Sequence, residues 1–265
     1  MSLYSDLFSQ RQPVIGMVHL PPLPGSPAYG GTLEAIYARA HEDAAALLEC
    51  GIDALIVENF GDEPFRIGEP DARTLALMAA ITREITRLSR VPVGVNVQFN
   101  AWEAEMSIAH VCGAHFCRVE VFVDTVVSAQ GLVMPCSAGI TRLRAALGAR
   151  VAIFADIQTK YTSNLVAQPL AQSAKDAQAA GADALIVTGS ATGSATPLEA
   201  VREAKGAVRL PVLVGSGATE AAIPAILQVA DGAIVGSAIK QDGVVTQPVS
   251  RERTAAFLRA ARGGR

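Results

Sequence analysis

VLVGSGAT at Val212–Thr219 and AIVGSAIK at Ala233–Lys240 are two short apolar runs, each closed by a glycine-serine turn. Six earlier runs have the same build: VIGMVHL from Val14, ALIVEN from Ala54, VGVNVQ from Val93, FCRVEV from Phe116, VAIFADI from Val151 and ALIVTG from Ala184. Nearly continuous hydrophobicity, without alternation, marks parallel strands covered on both faces. Helix-length stretches separate them, such as LEAIYARAHEDAAALLEC at Leu33–Cys50 and LAQSAKDAQAA at Leu170–Ala180. Eight strand-helix units predict an α/β protein, a single (β/α)8 TIM barrel over residues 1–265, with a short extension at 1–12 and a C-terminal helix at 250–262. An open doubly wound sheet is the competitor. The first strand, however, is not followed by the G-x-G-x-x-G turn that marks many such sheets.

The 265 residues match the roughly 250 of a typical barrel. Half are hydrophobic and 18% charged, which suits buried parallel strands. A net charge of −3 offers no drive toward nucleic acid or an anionic membrane surface. The first residues lack a signal-peptide pattern and no run is long enough for a membrane span, so a cytoplasmic protein without stable membrane insertion is expected. Cys50, Cys112, Cys117 and Cys136 have no metal-ligand spacing and are expected as free thiols. GIDALIVEN from Gly51 and GADALIVTG from Gly181 nearly repeat each other. Either a duplicated half-barrel or convergence of buried units on G-x-D-A accounts for that.

In a parallel barrel the carboxyl ends of all strands meet at one rim. Here those ends carry His19, Glu58, Asn59, Asn96, Gln98, Arg118, Glu120, Asp156, Gln158, Lys160 and Thr188. Alternation places Arg118 with Glu120, and Asp156 with Gln158, on the inward face. His19, Glu58, Arg118, Glu120, Asp156 and Lys160 are the catalytic candidates; Asn59, Asn96, Gln98, Gln158 and Thr188 are candidate substrate contacts. The plain structural alternative is a self-satisfied ion network pairing Arg118 with Glu120 or Glu58. Gly215, Ser216, Gly217, Gly236 and Ser237 are candidate phosphate contacts, since small residues let backbone amides approach an anion and serine hydroxyls add donors. The loops after the first, second and fourth strands are long enough to form a lid, and TGSATG at Thr188–Gly193 is placed to add a wall or cap the next helix.

VIGMVHLPPLPGSP at Val14–Pro27, IVENFGDEPF at Ile56–Phe65, PVGVNV at Pro92–Val97 and RVEVF at Arg118–Phe122 resemble the BtpA-like, or BtpA/SgcQ, family. ADIQTK at Ala155–Lys160, PVLVGSGA at Pro211–Ala218 and DGAIVGSAIKQDG at Asp231–Gly243 extend that resemblance to most of the chain. It implies a TIM barrel and, from the family's name, a role in photosystem I biogenesis or stability. Members commonly carry Asp-Gln-Gly where this chain has Ala129, Gln130 and Gly131, and many carry His at Gln158 and Tyr161. An Arg-Asn pair likewise gives way to Phe99 and Asn100, so no shared acid–base chemistry carries over at those positions.

The leading expectation is an enzyme of isomerase or lyase type acting on a small phosphorylated metabolite, with Glu58 and Asp156 as base and acid and Lys160 stabilising negative charge. A noncatalytic biogenesis factor for a membrane complex is the alternative, and a nucleotide- or flavin-binding barrel would use the same turns. No cofactor is required. Convergence of Glu58, Glu120 and Asp156 would suit a divalent cation such as Mg2+, and homo-oligomer formation is left open.

Overall fold

The computed structural model describes residues 2–9 and 12–263. Helix α1 (Leu3–Phe8) precedes strand β1 (Val14–His19). Then come α2 (Leu33–Glu49), β2 (Ala54–Glu58), α3 (Ala72–Leu88), β3 (Val93–Asn96), α4 (Trp102–Cys112) and β4 (Phe116–Val119). Two short strands, β5 (Val126–Ser128) and β6 (Gly131–Val133), precede α5 (Ser137–Ala146) and β7 (Ala152–Asp156). Strand β8 (Thr162–Asn164), α6 (Leu170–Ala179), β9 (Ala184–Val187), α7 (Leu198–Ala207) and β10 (Val212–Val214) follow. Helix α8 (Ile223–Leu227), β11 (Gly232–Val235) and α9 (Arg251–Ala261) end the chain. Strands β1, β2, β3, β4, β7, β9, β10 and β11 pair in parallel and close into a barrel, with β11 returning to β1. All eight predicted strands are therefore barrel strands, and the fold is a (β/α)8 TIM barrel.

The barrel interior changes character along its axis. Its lower layers hold Ile15, Met17, Ile56, Phe116, Phe154, Ile186, Leu213 and Ile234, all buried together. Small residues at the bottom, Ala54, Ala152 and Ala184, leave room there, and α1 fills it. Tyr4 and Phe8 insert their rings against Phe154 and Phe116, at centroid distances of 5.7 and 6.5 Å. The described part of the N-terminal extension thus joins the core; Met1, Gln10 and Arg11 within it lie outside the described residues. Gly94 has a steric cause: a Cβ there would stand 2.3 Å from the Phe116 ring, which stacks on Phe154 at 4.5 Å.

The repeated G-x-D-A pattern also has a physical cause. Asp53 and Asp183, within the two G-x-D-A segments, and likewise Asp231, precede barrel strands and accept an amide near the start of a neighbouring strand, from Val14, Ile153 and Val212, each at 2.9 Å. Arg262, Arg144 and Lys205 pair with the same three carboxylates. The motif is a staple that otherwise unpaired strand amides need at the lower rim.

The loops after β4 and β7 build a second sheet, ordered β6-β5-β8 and antiparallel. Val126 and Val133 turn inward onto Phe99 and Val121, making a small core that carries this hairpin over the carboxyl mouth. The loop after β1 instead packs beside β2, where Asp62 accepts the Leu23 amide at 2.7 Å. The four cysteines are free, and no helix among the described residues is long and apolar enough to cross a membrane.

The staples set a stability test. Replacing Asp183 with alanine strands the Ile153 amide and Arg144, and should cost about 2 kcal/mol in urea unfolding. Asp183→Asn, which keeps an acceptor, should cost less. Equal losses in the two variants would contradict the amide-staple account.

Candidate functional site

Inward-facing residues at the carboxyl ends of the strands form a polar layer above the apolar interior. At its centre lies Arg118, whose Nε and Nη2 donate to the two carboxylate oxygens of Asp156 at 3.0 and 2.9 Å. Both side chains are almost wholly buried, with 6% and 0% exposure. Burial acts to lower the Arg118 pKa, but Asp156 outweighs it and holds the guanidinium well above its usual value. The Thr159 hydroxyl also donates to Asp156, at 3.2 Å. Arg118 therefore pairs with Asp156, and not with Glu120 or Glu58 as the ion-network alternative had it. With both oxygens held by the Arg118 cation, Asp156 is a poor candidate for proton transfer.

Three other carboxyl groups surround this pair. Burial raises the pKa of Glu58, against the pull of Arg118 and Lys160, and Gln98 Nε2 donates to its Oε1 at 3.0 Å. Glu120 accepts from Asn96 Nδ2 at 2.6 Å and from the Asn100 amide at 2.9 Å. Burial nonetheless pushes it up to about 7. The third, Glu105, stands on α4, where its Oε1 accepts from Asn96 Nδ2 and from the Val97 amide. Burial first, and Glu120 second, raise Glu105 well above the ordinary carboxylate range, and its Oε2 has no partner among the described residues. Glu105 thus resists ionisation beside Glu120, and Asn96 bridges the two carboxyl groups.

Two adjoining cavities open on this layer. The first, about 620 Å3, lies between the loops after β10 and β11 and the start of α9. The second, about 930 Å3, lies under the β5–β6 hairpin. Glu58, Phe60, Arg118 and Lys160 border both. His19 borders the first, while Gln98, Glu120 and Asp156 border the second. Burial lowers the Lys160 pKa, with Arg118 adding to the effect, and Lys160 makes no ion pair among the described residues. His19 stacks on Phe60 at 4.5 Å, and burial followed by the charges of Lys240 and Lys160 keeps it neutral.

Of the expected phosphate contacts, Gly215, Ser216, Gly217, Gly236 and Ser237 all line the first cavity. Among the described residues, the amides of Ser216, Gly217, Ala218, Gly236, Ser237 and Ala238 donate to no protein acceptor. Gly217 is required where it stands: its φ is +68°, and a Cβ would come 2.1 Å from the Ser194 carbonyl oxygen. The Ser216 hydroxyl corrects one expectation, because it accepts the Gly189 amide at 2.7 Å and braces the β9 loop. That loop does supply a wall, through Thr192 and Gly193. Arg253, on α9, completes the cavity with its Nε donating to the Ala238 carbonyl at 3.0 Å. Beneath, Lys240 is fully buried and ties the β11 loop to α2 through Asp43 at 2.7 Å.

Four expected substrate contacts border neither cavity. Asn59 accepts the Gln98 amide and donates to Asp62, so it braces the loops after β2 and β3. Asn96 is consumed by Glu105 and Glu120. Gln158 adopts φ +49°, which ends the strand alternation and turns its amide to the Gln168 carbonyl and Ser173 hydroxyl. Thr188 packs against Gly215. Glu58, Glu120 and Asp156 share the second cavity. No three His, Cys, Asp or Glu side chains among the described residues are grouped to hold a metal ion.

The folded pKa of Glu120 lies above its ordinary 4.5, so the stability its protonation contributes is full below that value and is lost as pH rises to about 7. Urea unfolding across this window should show the wild type losing stability relative to Glu120→Gln. A constant difference would mean that Glu120 is ionised throughout.

The BtpA family model matches residues 10–263. An uncharacterised protein of Pyrococcus abyssi is 40% identical over 242 residues, covering 91% of this chain and 93% of the relative. A Synechocystis protein named photosystem I biogenesis protein BtpA is 38% identical over 259 residues, covering 97% and 90%. Among solved structures, thiamine phosphate pyrophosphorylase from Pyrococcus furiosus aligns with TM-score 0.60 and 15% identity, covering 97% of this chain and 98% of that one. Tryptophan synthase from M. tuberculosis aligns with TM-score 0.63 and 17% identity, covering 99% of each chain. At such identities the likeness is one of fold. The sequence relatives carry the assignment further: this chain belongs to the BtpA family.

Proposed function

We propose that the protein is an enzyme acting on a small phosphorylated metabolite, by proton transfer of the isomerase or lyase type. The observation that carries this reading is the set of amides without a protein acceptor among the described residues on two consecutive final loops of a TIM barrel, at Ser216–Ala218 and Gly236–Ala238, whose residues line a common cavity. Such amides are costly to leave dry and are well suited to phosphate oxygens. Arg253 adds a cation beside the Ala238 carbonyl.

Opposite this grip, Glu58 is the proton-transfer group: its raised pKa makes it a better base than an ordinary carboxylate, and Gln98 fixes its orientation. Lys160 borders both cavities and stabilises charge that develops when a proton leaves carbon next to a carbonyl. Asp156 acts through Arg118, keeping the guanidinium charged and immobile. Glu120 with its pKa near neutrality is the second acid–base group, reached from the larger cavity.

The name of the Synechocystis relative supports a second reading, a noncatalytic factor in assembling a membrane complex. Its docking surface would be the outer side of the hairpin, where Val127, Leu132 and Met134 are exposed. Such a factor has no use for free amides beside a lysine and two raised-pKa acids.

A thermal-shift panel of phosphorylated metabolites separates the readings. A ligand at a hundred times its Kd stabilises the native state by about 2.7 kcal/mol, several degrees in Tm. Ser237→Glu, which puts a carboxylate where an oxyanion would sit, should keep the unliganded Tm and lose the shift. No shift across the panel, or an equal shift in the variant, would contradict the enzyme reading.

A further inference from the structure

The second cavity is larger than a phosphate or short sugar requires, and its wall is divided. On the side shared with the first cavity stand Glu58, Arg118 and Lys160; on the far side stand Phe65, Phe99 and Tyr161, with Phe60 at the junction. Three of the chain's eight phenylalanines therefore line one opening.

Each ring is fixed by the protein itself. Phe60 stacks on His19 at 4.5 Å, with an interplanar angle of 27°. Phe99 is packed into the small core formed by Val121, Val126 and Val133, against which Phe65 rests. Tyr161 is 60% exposed, yet its hydroxyl accepts the Thr192 amide at 2.7 Å, holding the ring across the mouth between the loops after β7 and β9. Its φ of +60° is a strained backbone conformation for a tyrosine at the edge of this opening. Aromatic side chains pinned at a cavity wall are expected where a ligand is held, because their order is established before binding.

We propose that the metabolite is a phosphate ester bearing a planar aromatic or heteroaromatic ring. The ring lies in the second cavity among Phe65, Phe99 and Tyr161, and the phosphate lies on the loops after β10 and β11. The reacting carbons between them rest beside Glu58 and Lys160, where the cavities meet. This proposal rests on the phosphate reading above and names the class of substrate it leaves open. A ring makes edge and face contacts with other rings that a saturated group of the same size does not.

Isothermal titration calorimetry with inorganic phosphate, ethyl phosphate, cyclohexylmethyl phosphate and benzyl phosphate tests it. Benzyl phosphate should bind about tenfold more tightly than ethyl phosphate, and more tightly than the cyclohexylmethyl ester. In Phe65→Ala and in Tyr161→Ala the benzyl-to-ethyl ratio should fall toward one. Equal binding of the ethyl and benzyl esters, equal binding of the two six-membered rings, or an unchanged ratio in both variants overturns the ring site and leaves the phosphate grip standing. Absence of binding by all four compounds overturns both.

Discussion

The Arg118–Asp156 pair is the constraint on which the carboxyl mouth depends. A guanidinium with 6% exposure is tolerable only because both oxygens of a fully buried carboxylate receive it. Removing one partner of such a pair typically costs about 3–5 kcal/mol, since the other charge is left uncompensated. The pair in turn sets the field for its neighbours. Arg118 offsets part of the burial penalty on Glu58, Asp156 adds to that on Glu120, and Arg118 adds to the depression of Lys160. Acids of graded proton affinity can then share one small volume.

Below that layer the barrel is ordinary packed core, closed at its lower end by Tyr4 and Phe8. Above it, the loops do separate work. Those after β10 and β11 are small, tightly packed and rich in unpartnered amides, and Lys240 anchors the second to α2. Those after β3, β4 and β7 are aromatic and strained, and they carry a small sheet with its own core. A rigid scaffold that presents two chemically different walls to one opening is the usual way a barrel separates binding from chemistry.

Much of this was legible in the sequence, for reasons that particular residues make plain. The eight apolar runs end in polar residues, and strand alternation correctly turns Arg118, Glu120 and Asp156 toward the mouth. Alternation fails at Gln158, because a residue with φ +49° is no longer in a strand. Asn96 does face inward, but it is taken up by Glu105, an acid that sequence reasoning passed over. A signal for it was present: Glu105 shares a helical stripe with Ile108, Ala109 and Cys112, all buried. The role of Arg253, the commitment of the Ser216 hydroxyl and the pinning of Tyr161 depend on closure of distant loops. No local pattern carries them.

The central claim is that the loops after β10 and β11 grip a phosphate opposite Glu58 and Lys160. A crystal structure of the protein grown with a phosphate-bearing ligand tests it most directly. The account predicts a tetrahedral oxyanion within hydrogen-bond reach of the Gly217 and Ser237 amides, with the rest of the ligand extending toward Lys160. An ordered ligand at another site, with those amides turned onto protein acceptors, would contradict it.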